Sequence, residues 1–310
     1  MKKIQNSLHY FEISKNNQEK ILDDFYIFAE KHPQIEKYIS STKEIKNILI
    51  TIKTLWSKNE DKKVVEKYFI ELSKVLDNFS NCSEFSCFIN ACDSVLGFAK
   101  KDMVLLEKIT KRYFAKRILN EAVPEEWIQA ILDSNSGRKK GNCGENKLLH
   151  ILKRYGFQEV KIWDEFFNKE KSVAKFSKVF SVKNVRKNLN IKLSAKKQNK
   201  KLDLIIKCGK KIFLCEAKHL NTSGGEQDKQ ISELIEIISL KEKDKNIYYI
   251  AFLDGVYSNI ILSNKKNGSK LKTQQREINK FLSRNTNNFW VNTFGFESLF
   301  ADLTNSDIVA

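Results

Sequence analysis

The chemically suggestive stretch is Lys201-Leu202-Asp203-Leu204-Ile205-Ile206-Lys207-Cys208-Gly209-Lys210-Lys211-Ile212-Phe213-Leu214-Cys215-Glu216-Ala217-Lys218. Two apolar segments, Leu202 to Cys208 and Lys211 to Lys218, flank Gly209-Lys210. Glycine in the first position of a two-residue loop favours a type II′ hairpin. In that register Cys208 opposes Lys211, Lys207 opposes Ile212, and Asp203 opposes Glu216. Directly opposed side chains lie about 5 Å apart, so both carboxylates address one point. Lys218, two residues beyond Glu216, projects from the same face.

The neighbours Leu204, Ile205, Ile206, Phe213 and Leu214 are apolar on both faces, which predicts a buried sheet. Two carboxylates side by side in such a place repel, and burial disfavours their charged forms. A hard divalent cation relieves both costs, because carboxylate and carbonyl oxygens suit Mg²⁺. Such an ion polarises a phosphodiester and acidifies a bound water. A lysine beside it orients or deprotonates that water, or stabilises charge on the pentacovalent phosphate. The bland alternative makes Asp203 and Glu216 edge residues neutralised by neighbouring lysines. It does not account for their opposed placement with a lysine two residues on.

The elements that must hold this hairpin are legible as periodicity. A helix is expected from about Gly144 to Tyr155, with Leu148, Leu149, Leu152 and Tyr155 on its apolar face and Gly156 as terminator. A second runs from about Glu226 to Leu240, burying Ile231, Leu234, Ile235 and Ile238. Ile247 to Leu253 reads as a buried strand. A basic helix from about Leu271 to Ser283 and a strand near Phe289 to Thr293 complete an α/β pattern, a mixed sheet covered on both faces. Residues 136–310 form this domain. Residues 1–135, with no glycine before Gly97, read as a helical N-terminal region in which Ile21, Phe25, Phe28 and Ala29 recur at helical spacing. No chemistry is visible there, and its role is open: a dimer interface, a clamp on the substrate and a recognition module all fit.

Charge names the partner. The chain carries +17, of which residues 131–220 hold +15. Lys171 to Lys201 contains eleven Lys or Arg and no acid. So concentrated a positive field attracts a polyanion, usually nucleic acid. Valines and phenylalanines interleave with these lysines, so a basic β-ribbon tracking the phosphate backbone is expected. A solvated charged face is the alternative. Expected DNA contacts are Lys139, Lys140, Lys178, Lys183, Arg186, Lys187, Lys196, Lys197, Ser223 and Gln230. Lys265, Lys266, Lys270, Lys272 and Arg276 make a second candidate edge. Thr222 or Ser223 also reads as a helix cap, and His219 reads as a strand-end histidine or as a DNA contact. The six cysteines form no CxxC pair and, with four scattered histidines, no zinc spacing. They read as small apolar residues of a reduced protein. No apolar run approaches the roughly 20 residues of a membrane span, and the N-terminus lacks a signal-peptide core. A soluble cytoplasmic protein of a prokaryote is expected.

Asp203, then Glu216-Ala217-Lys218 after twelve intervening residues, resembles the motif of the PD-(D/E)XK nucleases, although Leu202 stands where the family name has proline. Glu145, in Gly144-Glu145-Asn146-Lys147, resembles the acid that many members carry on the helix before the hairpin. Gln227 or Gln230 matches a polar residue on the helix after it. The order of parts is similar to that of type II restriction endonucleases of the DpnII and MboI kind. It includes a Gly-Arg-Lys connection, an acidic helix, the hairpin, a Ser-Gly-Gly segment and a strand ending in Asp254-Gly255. The resemblance implies that Asp203, Glu216 and the Ala217 carbonyl ligate Mg²⁺, for which Mn²⁺ would substitute. Lys218 would position or activate water, and Glu145 would support the site or hold a second ion. It also implies a homodimer cutting a short site in double-stranded DNA, with a cognate methyltransferase encoded nearby. A repair or junction-resolving nuclease of the same fold, or a DNA-binding protein without catalysis, are the alternatives.

Overall fold

The computed structural model describes residues 4–27, 30–135, 137–193, 202–222, 224–263 and 269–304, and only the backbone of 137–142. Contacts divide the chain into two units. One is residues 28–137, the other residues 1–27 together with 138–310. The sequence division at 135 had placed residues 1–27 with the helical half. In the structure helix α1 (Ser7–Asn16) belongs to the second unit, and Tyr10 is fully buried in that unit's core.

The helical unit contains α2 (Ile35–Ser57), α3 (Lys62–Val75), α4 (Glu84–Ala91), α5 (Leu96–Ala99), α6 (Met103–Lys116) and α7 (Glu125–Ser134). Its main core joins Ile45, Leu49 and Ile52 of α2 to Phe69 and Leu72 of α3 and Leu106, Ile109 and Tyr113 of α6. Their recurrence at i, i+4, i+7 in α2 and at i, i+3, i+7 in α6 is the stripe that a helix buries.

The second unit is built on a six-stranded sheet in the order β1 to β6. Its strands are β1 (Gln158–Glu159), β2 (Lys171–Lys175), β3 (Leu204–Cys208), β4 (Lys211–His219), β5 (Ile247–Asp254) and β6 (Asn288–Val291). The β2–β3 and β3–β4 pairs are antiparallel, while the β1–β2, β4–β5 and β5–β6 pairs are parallel. The hairpin has the anticipated register: Cys208 pairs with Lys211 and Leu204 with Cys215. Gly209 makes the turn at φ +58°, a conformation that glycine adopts without steric cost.

Helices α8 (Gly137–Arg154), α9 (Trp163–Asn168), α10 (Val182–Leu189), α11 (Gly225–Ser239), α12 (Val256–Leu262), α13 (Ser269–Arg284) and α14 (Thr293–Thr304) complete the unit. On one face Leu148, Ile151 and Leu152 of α8 and Phe296 and Phe300 of α14 pack with Leu204, Ile206, Phe213, Cys215, Ile250 and Phe252. On the other, Ile231, Leu234, Ile235 and Ile238 of α11 and Ile278 and Leu282 of α13 meet Ala251, Leu253 and Trp290. β5 is buried at every position, as a strand covered on both faces must be. The fold is thus a mixed α/β sheet between helical layers.

Several expectations are corrected. Among its described residues the basic segment is no β-ribbon: Lys171–Lys175 is an interior strand, hydrogen-bonded on both sides, and 182–189 is helix. Val182 and Val185, three apart, bury one side of that helix, so the apolar alternation belongs partly to a helix. Nor do the described residues of the recurrence from Ile21, 21–27, form an α-helix, and Phe28 and Ala29 lie outside the described residues. Ile21 is 80% exposed, and only Asp24–Tyr26 form a 3-10 turn. The polar connection at 134–142 contributes the first turns of α8.

Candidate active site

Asp203 lies one residue beyond the regular end of β3, and its N–H still donates to the Cys215 carbonyl at 2.9 Å. That bond extends the ladder to the position facing Glu216. Asp203 Oδ2 accepts the Ala217 N–H at 2.7 Å, which fixes its carboxylate over the C-terminal end of β4. Glu216 is 1% exposed, and its Oε1 lies 2.7 Å from Lys218 Nζ. Burial, then the charge of Glu216, pushes the Asp203 carboxyl up to about 7, with Glu145 adding to the rise and the Ala217 N–H and Lys218 opposing it. Burial alone would lower the Lys218 ammonium, but the charge of Glu216 and its hydrogen bond outweigh that and hold it above the ordinary lysine value. Lys218 is therefore an ammonium at neutral pH.

Glu145, on α8, places Oε2 3.2 Å from Lys175 Nζ, and the same ammonium donates to Asn146 Oδ1 at 2.9 Å. Lys175 stands opposite Leu204, and the next N–H, of Phe176, donates to the Asp203 carbonyl at 3.0 Å. Lys175 thus ties α8 to the edge of the hairpin beside Asp203. Sequence reasoning counted it only as one basic residue among eleven, because nothing local reveals a strand pairing with residues thirty positions on.

Asp203, Glu216, Lys218 and Glu145 therefore converge, while the expected DNA contacts divide. Lys178, Lys183 and Lys187 are exposed. Arg186 is committed elsewhere: Nε donates to the Lys192 carbonyl at 3.0 Å and Nη2 to that of Leu193 at 2.9 Å, closing the chain after α10. Gln230 is half-buried on α11, the helix whose Glu233 adds to the field at Lys218. Lys139, Lys140, Lys196, Lys197 and Ser223 lie outside the described residues, or have only their backbone described. So do Lys265 and Lys266, whereas Lys270 pairs with Asp228 at 2.5 Å and Lys272 and Arg276 are exposed on α13.

A second charged network occupies the opposite face of β4, where the sequence offered only Asp254-Gly255 as a sign. Carboxylate oxygens of Glu19, Asp23 and Asp254 lie within 4.8 Å of one another. Lys147 Nζ stands among them, 2.6 Å from Asp23, 2.9 Å from Asp254 and 3.6 Å from Glu19. The ammonium thus fills the place where a cation would bind. Asp254 also accepts from Tyr26 Oη at 2.7 Å and meets His219 Nδ1 at 2.9 Å. Burial raises the Asp254 carboxyl, but the His219 hydrogen bond and Lys147 more than offset this and keep it below the ordinary aspartate value.

The donor set around Asp203 fits a hard divalent cation. Two opposed, desolvated carboxylates are compensated by one ammonium, and the proton that Asp203 retains up to about neutral pH marks a position short of positive charge.

A model of the DpnII restriction endonuclease family matches residues 126–291, from α7 to the end of β6. That range holds Glu145, Asp203, Glu216 and Lys218. Neither the curated proteins nor the solved structures contain a match.

Proposed function

The chain belongs to the DpnII restriction endonuclease family, and we propose that it is a type II enzyme that hydrolyses double-stranded DNA at a short specific site with Mg²⁺. The observation that carries this reading is the pair of carboxylates facing each other across β3 and β4, with Lys218 on Glu216 and Glu145 brought to the same end. Asp203, Glu216 and the Ala217 carbonyl would hold the cation. When bound, it supplies a Lewis acid for the phosphodiester and a more acidic water.

The protein's own groups do the remaining work. The Ala217 N–H keeps Asp203 turned toward Glu216. Lys218, paired with Glu216, would orient or activate the attacking water and stabilise negative charge on the phosphate. Glu145 is restrained by Lys175, and its charge is felt at Asp203. The exposed Lys178, Lys183 and Lys187 supply phosphate contacts. A homodimer is proposed because two-fold symmetry suits a palindromic site and two cuts, and a cognate methyltransferase would protect host DNA.

The test is incubation of purified protein with unmethylated phage DNA and Mg²⁺, beside Asp203→Ala and an EDTA control. Discrete fragments lost in both controls support the reading. A smear lost in both would point to a structure-selective nuclease. No cutting with Mg²⁺ or Mn²⁺ on any duplex would overturn it.

A further inference from the structure

We propose that the N-terminal segment Glu19–Tyr26 is a clamp that, through Lys147, Asp254 and His219, positions the catalytic end of β4 against α8. This rests on the reading of Glu216 and Lys218 as catalytic.

Lys147 is 4% exposed, Glu19 6% and Asp254 0%. Three carboxylates around one buried ammonium are a poor way to gain stability, since apolar side chains of similar volume often do as well or better. Such a network does fix positions, because each ionic hydrogen bond is directional and a broken one leaves a buried charge unpaired.

What it joins is specific. Lys147 lies two residues from Glu145 on α8. His219 follows Lys218 on β4, and Asp254 opposes His219 at the end of β5. The imidazole is held on three sides. Asp254 Oδ1 meets Nδ1, Asn221 Nδ2 lies 3.1 Å from Nε2, and the Tyr26 ring stacks on it with centroids 3.6 Å apart and planes at 16°. The Asn221 side chain in turn accepts the Val256 N–H at 3.1 Å. The segment itself is anchored: Glu19 accepts from Thr293 N–H at 2.6 Å and its hydroxyl at 2.9 Å, and exchanges two further bonds with Asn259. Residues outside the family-matched range thus reach the strand that carries the catalytic pair. Tyr26 and Asp254 act through His219 and are positioning residues.

The experiment compares full-length wild type with Asp254→Asn and Tyr26→Leu by three readouts. These are hydrogen exchange of backbone amides in EDTA, the single-turnover cleavage rate at saturating duplex with Mg²⁺, and duplex affinity with Ca²⁺. Exchange is expected to rise about tenfold at residues 217–220 and to stay near wild type in β6. The rate is expected to fall about tenfold or more, as small misplacements at a reacting centre do, while affinity stays within about twofold. Unchanged exchange at 217–220 in a folded variant would overturn the clamp, and so would a rise spread evenly over the sheet. Tyr26→Leu carries the test if Asp254→Asn does not fold. If wild type cuts no DNA, the functional reading fails, and the exchange pattern still decides the clamp.

Discussion

Replacing Asp203 by asparagine should stabilise the protein while abolishing its chemistry. Its carboxyl is held at about 7, against roughly 3.9 in an unfolded chain. Between those values the native state binds a proton that the unfolded state has lost, so stability falls as pH rises from about 4 to 7. Above pH 7 the cost is complete. Three units at 1.36 kcal/mol each give about 4 kcal/mol. An amide never ionises, and its carbonyl oxygen still accepts the Ala217 N–H. Asp203→Asn in EDTA should therefore melt several degrees above wild type at pH 8, at roughly 2–4 °C per kcal/mol. The gap should close near pH 4.5. Saturating Ca²⁺ or Mg²⁺ should raise the wild-type melting temperature, because a ligand that binds only the native state stabilises it, and should barely move the variant. Thermal melts across pH 4.5–8, with and without the cation, read all of this. Equal melting temperatures at pH 8 in EDTA, or a gap independent of pH, would refute the account of opposed, desolvated carboxylates.

Lys218→Met should lower the single-turnover cleavage rate by about a hundredfold or more while leaving duplex affinity in Ca²⁺ within a few-fold, since it removes charge stabilisation at the phosphate; equal loss in both would place Lys218 in binding instead. Gly255→Ala should cost on the order of 3 kcal/mol in urea denaturation: its φ is +82°, and a Cβ there would lie 2.4 Å from the Leu220 carbonyl oxygen. Lys183→Glu with Lys187→Glu should weaken duplex binding uniformly across sequences and flatten its dependence on log salt by about two phosphate contacts, measured by fluorescence anisotropy; an unchanged slope would remove α10 from the interface. Asp254 titrates below the ordinary aspartate value, so it stabilises the fold above the unfolded value and loses that contribution as pH falls through its folded one; Asp254→Asn should flatten the acid limb of the wild-type stability curve.

The hairpin was legible because its information is local. A two-residue turn at Gly209 fixes the register, and register alone brings Asp203 opposite Glu216. The helices with strong period, α8 and α11, were legible for the same reason. The missing parts depend on pairings across long stretches of chain. β2 meets β3 across some thirty residues that read as one basic run, so Lys175 gave no sign of being the partner of Glu145. In the segment Glu19–Tyr26 the apolar residues Ile21 and Phe25 stand at helical spacing and suggest a helix, which the structure does not form. Its order comes instead from residues more than a hundred positions away: Lys147, Asp254, Asn259 and Thr293. A buried lysine is also invisible in a chain with 55 Lys and Arg, because only tertiary contacts distinguish Lys147, whose desolvation three carboxylates offset, from an exposed lysine such as Lys183. The local signal thus marks the proposed site, and the nonlocal network is what the proposed clamp adds to that strand end.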